Sequence, residues 1–175
     1  MLKELNTLEP FFKEPEREFN VREFARITKI SPATASKKLK ELFKEKLLTE
    51  RKDRGFTFYK AYLESTNYRN LKIFYNKQII YESKIIEELN NFYLKPTIIL
   101  FGSFSTGLDT ETSDIDLVII SENKKQFPKL KYFEKKLKRE IQIFAIKNFK
   151  ELKNGDLINS VLNGNVIQGE INGFE

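Results

Sequence analysis

Two aspartates, Asp114 and Asp116, stand one residue apart, just before the apolar run Leu117-Val118-Ile119-Ile120. On a strand, alternate side chains share a face, so these carboxylates project together, roughly 7 Å apart along the chain. Ile115 between them points the other way, into a core. Like charges so placed raise each other's pKa unless a cation sits between them. Hard oxygen donors at this spacing suit Mg²⁺ (or Mn²⁺), which is held by one or two carboxylates plus substrate phosphates. Upstream, Ile98-Ile99-Leu100-Phe101 is long enough for a buried strand and too short for a helix. Gly102-Ser103 ends that run, and a glycine there allows a sharp turn and a close ligand approach. A helix starting near Ser103 would offer free N–H groups to an anion, and Gly107 gives the loop a second permissive point. Metal carboxylates and a phosphate cradle at one sheet edge are the equipment for metal-assisted phosphoryl or nucleotidyl transfer.

Alone, a D-x-D is usually a solvated strand end and a Gly-Ser is usually a turn. Together, Gly102-Ser103, Gly107 and Ser113-Asp114-Ile115-Asp116-Leu117 between two hydrophobic strands resemble the signature of the DNA polymerase beta-like nucleotidyltransferase superfamily. In particular the stretch looks like that of the minimal nucleotidyltransferases of archaea and bacteria. The resemblance implies that Asp114 and Asp116 hold the metal and that Gly102, Ser103, Gly107 and Ser113 bind the nucleotide. It also implies an NTP substrate and a third carboxylate on the next strand. Here that strand reads Glu140-Ile141-Gln142-Ile143-Phe144, which places Gln142 where the third carboxylate should be. Glutamine accepts a hydrogen bond but takes no proton at neutral pH. Glu140, on the same strand face, is the substitute catalytic carboxylate. The arginine often found before the second glycine is Thr106 here. By analogy, one class of acceptor is a partner protein.

The elements that position these residues follow from composition and patterning. A chain of 175 residues, 40% hydrophobic, holds one large or two small domains. It has no cysteine and no histidine. That excludes disulfides, thiolate zinc sites, cysteine nucleophiles, Ser-His-Asp chemistry and histidine bases, leaving carboxylates, lysine, hydroxyls or a hard metal. Lysine-rich, cysteine-free composition fits a cytoplasmic protein. The N-terminal stretch lacks a signal-peptide core, and no apolar run approaches membrane-spanning length.

The net charge of +6 is uneven. Residues 1–63 carry 15 Lys and Arg against 10 Asp and Glu, whereas residues 95–175 carry 12 against 11. Basicity in the first third points to nucleic acid. There, 2–13 has helical spacing closed by Glu14-Pro15, and 16–20 reads as an extended link. Val21–Ile27 is amphipathic with Asn20 as N-cap. Ser31-Pro32 opens another helix that buries Ala35, Leu39, Leu42 and Phe43. Two β-prone runs then flank Asp53-Arg54-Gly55 as a hairpin. Helix-turn-helix plus a basic-tipped hairpin resembles the winged helix-turn-helix domain of prokaryotic regulators. That resemblance implies double-stranded DNA as partner. Ser31, Thr34, Ser36, Lys37 and Lys38 would face the major groove, and Arg51, Lys52 and Arg54 would touch the backbone or minor groove. A module for protein contacts is the alternative.

Asn67–Phe92 reads as one long helix with an apolar stripe, either core or a homodimer contact. After Ile120, Phe127–Lys138 reads as a basic helix, Arg139–Ile146 as a strand, 148–163 as helical with a break at Asn154-Gly155, and 164–168 as a last strand. The expected fold class is therefore α+β/α/β in two domains. A winged helix-turn-helix occupies 1–63, a connecting helix 64–94, and a small mixed-sheet nucleotidyltransferase-like domain with flanking helices 95–175. Two functions follow. One is Mg-dependent transfer of a nucleotidyl group from an NTP. The other is a DNA-binding transcriptional regulator, or antitoxin-like protein, that binds nucleotide without turnover.

Overall fold

The computed structural model describes residues 2–171. The chain divides into two compact units between Tyr75 and Asn76. The first unit holds α1 (Leu2–Lys13), β1 (Phe19–Asn20), α2 (Val21–Thr28), α3 (Pro32–Lys44), β2 (Leu48–Asp53) and β3 (Phe56–Ala61). Its aromatics dominate the core: Phe11, Phe12, Phe19, Phe24 and Tyr59 are buried, and Phe11 meets Phe19 edge-on at 5.1 Å. Each such burial is worth about 1.5–3 kcal/mol against the exposed side chain.

Local chemistry sets the ends of these helices. The Asn20 side chain accepts the Glu23 N–H at 2.9 Å and starts α2. Lys29, left-handed at φ 55°, ends it. Ser31 accepts the Thr34 N–H, and Pro32 stands at the first position of α3, where no N–H is needed. Strands β2 and β3 register Asp53 opposite Phe56, leaving Arg54 and Gly55 as a two-residue turn. Both have positive φ, 46° and 83°, as a type I′ turn requires.

The structure departs from the sequence reading in three places here. The link at 16–20 contains β1, which pairs antiparallel with β3 and gives a three-stranded sheet ordered β1-β3-β2. Phe19, fully buried, is the reason that short stretch is held. Phe43, expected in the core, is 42% exposed, because Leu39 and Leu42 already fill the inward stripe of α3. The expected single helix at 67–92 is two helices, α4 (Thr66–Ser83) and α5 (Ile85–Tyr93). Between them Lys84 is left-handed at φ 70°, while the Ser83 hydroxyl donates to the Ile80 carbonyl and accepts the Ile85 N–H. The apolar stripe is buried in part: Leu71 and Tyr75 pack against the first core, whereas Phe74 is 49% exposed. Tyr68 lies in the first core, and Ile80, Ile85, Ile86 and Leu89 lie in the second.

The second unit is built on β4 (Thr97–Phe101), α6 (Gly102–Thr106), β5 (Ile115–Ile120), α7 (Leu130–Leu137), β6 (Ile141–Ile146), a 3₁₀ turn (Phe149–Glu151), α8 (Gly155–Leu162) and β7 (Asn165–Gln168). The sheet runs β6-β5-β4-β7, with β5 and β6 parallel and the other pairs antiparallel. One face packs Ile98, Leu100, Leu117 and Ile119 with Leu89 of α5 and Phe133 of α7. The other packs Ile99, Phe101 and Val118 with Val161 of α8. Cover on both faces is why β4 and β5 read as continuous apolar runs. No described helix is long and apolar enough to cross a membrane.

Candidate functional site

The site forms where β4 ends and β5 begins. Register puts Phe101 opposite Asp116, so the turn at Gly102 lies directly against the Asp116 carboxylate. Gly102 has φ 71°, and a Cβ there would stand 2.3 Å from Asp116 Oδ2. Glycine is thus required both for the backbone angle and for the space the carboxylate occupies. The chain then makes the single turn of α6, in which the Ser105 and Thr106 hydroxyls donate to the carbonyls of Gly102 and Ser103. Gly107, φ 71°, closes it with its N–H on the Ser103 carbonyl.

Asp114 sits one residue before β5 and Asp116 within it. The Asp116 carboxyl is held above its ordinary range, first by burial and then by the charge of Asp114. That charge effect on Asp116 is the one expected from a second carboxylate on the same strand face. Parallel pairing sets Gln142 opposite Asp116, and its amide donates to Asp114 Oδ2 at 2.6 Å. Gln142 therefore reaches the carboxylate pair from β6. Glu140 lies exposed just ahead of β6, with its carbonyl accepting the Ile115 N–H at 2.9 Å. Its side chain lines a cleft with Asp114, Ser113 and Glu111. Among the described residues no group of three carboxylates closes into a metal-holding set. For a divalent cation the fit rests on two hard carboxylates, one of them part-buried and electrostatically uncomfortable, facing a turn that glycine keeps clear.

Two contributors were not foreseen from sequence. Arg139, expected at the start of a strand, lies outside β6, and its guanidinium reaches the loop that carries Asp114. Asp109, fully buried, accepts from Arg139 at 3.0 Å and from the Asn76 amide at 2.8 Å. An acidic residue in a loop otherwise expected to be solvated, followed some 30 positions later by a lone arginine, is the faint signal they leave in the sequence. Ser113, expected at the nucleotide, accepts the Thr110 N–H with its hydroxyl at 2.9 Å and so shapes the loop.

In the first unit the anticipated DNA contacts are placed unevenly. Ser31 and Thr34 bond each other through their hydroxyls at 2.8 Å. Lys38 donates to Thr7 at 2.9 Å, so the expected bare Lys37-Lys38 pair is a single outward lysine, Lys37. Ser36 is half-buried on α3. Arg51 grips Glu18 with two nitrogens, at 2.9 and 2.7 Å, and also reaches Asp53. Lys52 lies 3.6 Å from Glu50 with its side chain 77% exposed, and Arg54 is exposed at the hairpin tip.

No curated protein matches the chain. A solved structure described as a possible transcriptional regulator from Methanosarcina mazei Go1 is similar at 22% identity, covering 53% of this chain and 78% of that chain, with a TM-score of 0.34. Residues 82–164, which contain Gly102, Asp114, Asp116 and Gln142, match the family model of the nucleotidyltransferase domain.

Proposed function

We propose that the second unit binds an NTP with Mg²⁺ (or Mn²⁺) and transfers its nucleotidyl group to an acceptor with release of pyrophosphate, and that the first unit binds double-stranded DNA. The observation that carries the first half is the Asp116 carboxylate packed on Gly102 with Asp114 beside it. Asp114 and Asp116 would hold the metal, which neutralises the triphosphate and polarises the phosphorus when bound. Gly102 and Ser103 would present backbone N–H groups to phosphate oxygens, and Gly107 lets the loop fold back beneath them. Glu140, which lines a cleft with Asp114, is proposed as the carboxylate that accepts the acceptor's proton.

Gln142 favours a second reading: nucleotide binding without turnover, in a DNA-binding regulator. Its amide occupies Asp114 Oδ2, and an amide cannot serve as a base. The two readings part in one experiment. Wild type, Gln142→Glu and Asp116→Ala are incubated with each α-labelled NTP, Mn²⁺ and a mixture of protein and nucleic-acid acceptors. Label transferred by wild type and lost in Asp116→Ala supports the enzyme. NTP bound by wild type, with transfer only after Gln142→Glu, supports the regulator.

The DNA half rests on the short helix pair α2–α3, the hairpin and the basic balance of residues 1–63. Lys37, Lys52 and Arg54 are the side chains proposed to meet phosphates. Arg51 would first have to leave Glu18. Ser36 and Thr34 are proposed to face the groove. A two-fold DNA site would call for a homodimer.

A further inference from the structure

We propose that Arg139 is a positioning residue for Asp114: it clamps the loop at 107–114 so that the carboxylate is fixed before any ligand arrives. This inference rests on the metal–nucleotide reading of Asp114 and Asp116. Arg139 Nη1 donates to both the Thr110 and the Ser113 carbonyls, each at 2.7 Å. These are the two ends of one four-residue turn, whose Ser113 N–H also reaches the Thr110 carbonyl. Nη2 meets Asp109 Oδ2 at 3.0 Å, and Asp109 is itself anchored by the Asn76 amide, which also holds the Phe104 carbonyl at 2.8 Å. The guanidinium carbon lies 5.2 Å from the centroid of the Phe104 ring, and the side chain is only 11% exposed.

Asp114 is thus fastened on both sides. Before it, the Ser113 carbonyl is held by Arg139; after it, the Ile115 N–H donates to the Glu140 carbonyl, and Glu140 is the neighbour of Arg139. Loop carbonyls ordinarily turn to water, and loops are where local opening is easiest. Here one residue converts two of them and a buried carboxylate into a single support. The rigid fork of arginine spreads its donors over two nitrogens in a fixed geometry, whereas a lysine ammonium carries its three donors on one nitrogen at the end of a flexible stem.

Arg139→Lys keeps the charge and removes the fork. Amide hydrogen exchange and Mn²⁺ binding, followed by the EPR signal of free Mn²⁺, are measured on the full chain. We expect the amides of residues 110–115 to exchange about tenfold faster while those of β4 stay protected. Mn²⁺ affinity should fall about tenfold, as when an outer partner of a metal ligand is lost. Asp109→Asn, which keeps the shape and weakens the anchor, should move both readouts the same way, and it carries the test if Arg139→Lys does not fold. Unchanged loop exchange would overturn the proposal. So would faster exchange with unchanged Mn²⁺ affinity, which marks a purely structural role. A wild type that takes up no Mn²⁺, indistinguishable from Asp114→Ala, would contradict the metal reading and the proposal that rests on it, whereas wild-type Mn²⁺ uptake with unchanged loop exchange in Arg139→Lys would overturn the clamp alone.

Discussion

Asp116 and Gly102 are one device. Gly102→Ala forces a left-handed φ on a residue with a Cβ, a cost of about 1–2 kcal/mol. Its Cβ also meets Asp116 Oδ2, a side-chain end that can rotate away. We therefore expect a modest loss of stability in urea melts and a much larger loss of nucleotide binding, because the carboxylate leaves its place. Equal, small effects on both would argue that the contact is incidental. Asp116 also sets a pH dependence. Its folded carboxyl binds a proton more tightly than the unfolded one, so ionisation is a penalty. The penalty is absent at low pH and grows as pH rises from the ordinary aspartate range through the raised folded value. Asp116→Asn removes it. The variant should be more stable than wild type at neutral pH and equal to it near about pH 3. A difference independent of pH would assign the effect to packing instead.

At the scale of elements, the strands flanking the site were legible because burial on both faces leaves an unbroken apolar run, as in Ile98–Phe101. The carboxylate pair was legible because strand alternation is rigid. What escaped was held by contacts distant in sequence. Strand β1 is two residues long and exists through its pairing with β3. The break at Lys84 depends on a serine that bonds its own backbone. Arg139 looked like strand because Ile141–Ile146 follows it, yet its side chain serves a loop 26 to 30 positions upstream. The caps were readable, and Ser31 is the clearest. Ser31→Ala should destabilise the first unit by about 1 kcal/mol, seen as a lower urea midpoint with an unchanged slope. No shift would mean that Pro32 alone suffices to start α3.

At the scale of the whole molecule, a basic unit precedes a nearly neutral one that carries the acidic site. If the first unit binds DNA through phosphates, Lys37→Ala or Arg54→Ala should weaken binding to every sequence and lower the salt slope by about one each. Arg51→Ala should change the slope less, since Arg51 already pairs with Glu18. Equal slopes for all three variants and wild type would turn the first unit into a protein-contact module. In the second unit, Asp114 and Asp116 are proposed to make a metal-dependent nucleotide site. Equilibrium binding of each NTP, with and without Mn²⁺, to wild type, Asp114→Ala and Asp116→Ala tests it most directly. Wild type should show Mn²⁺-dependent binding that weakens by about tenfold or more in either variant. No binding at millimolar NTP, or binding that neither substitution nor metal removal alters, would contradict it.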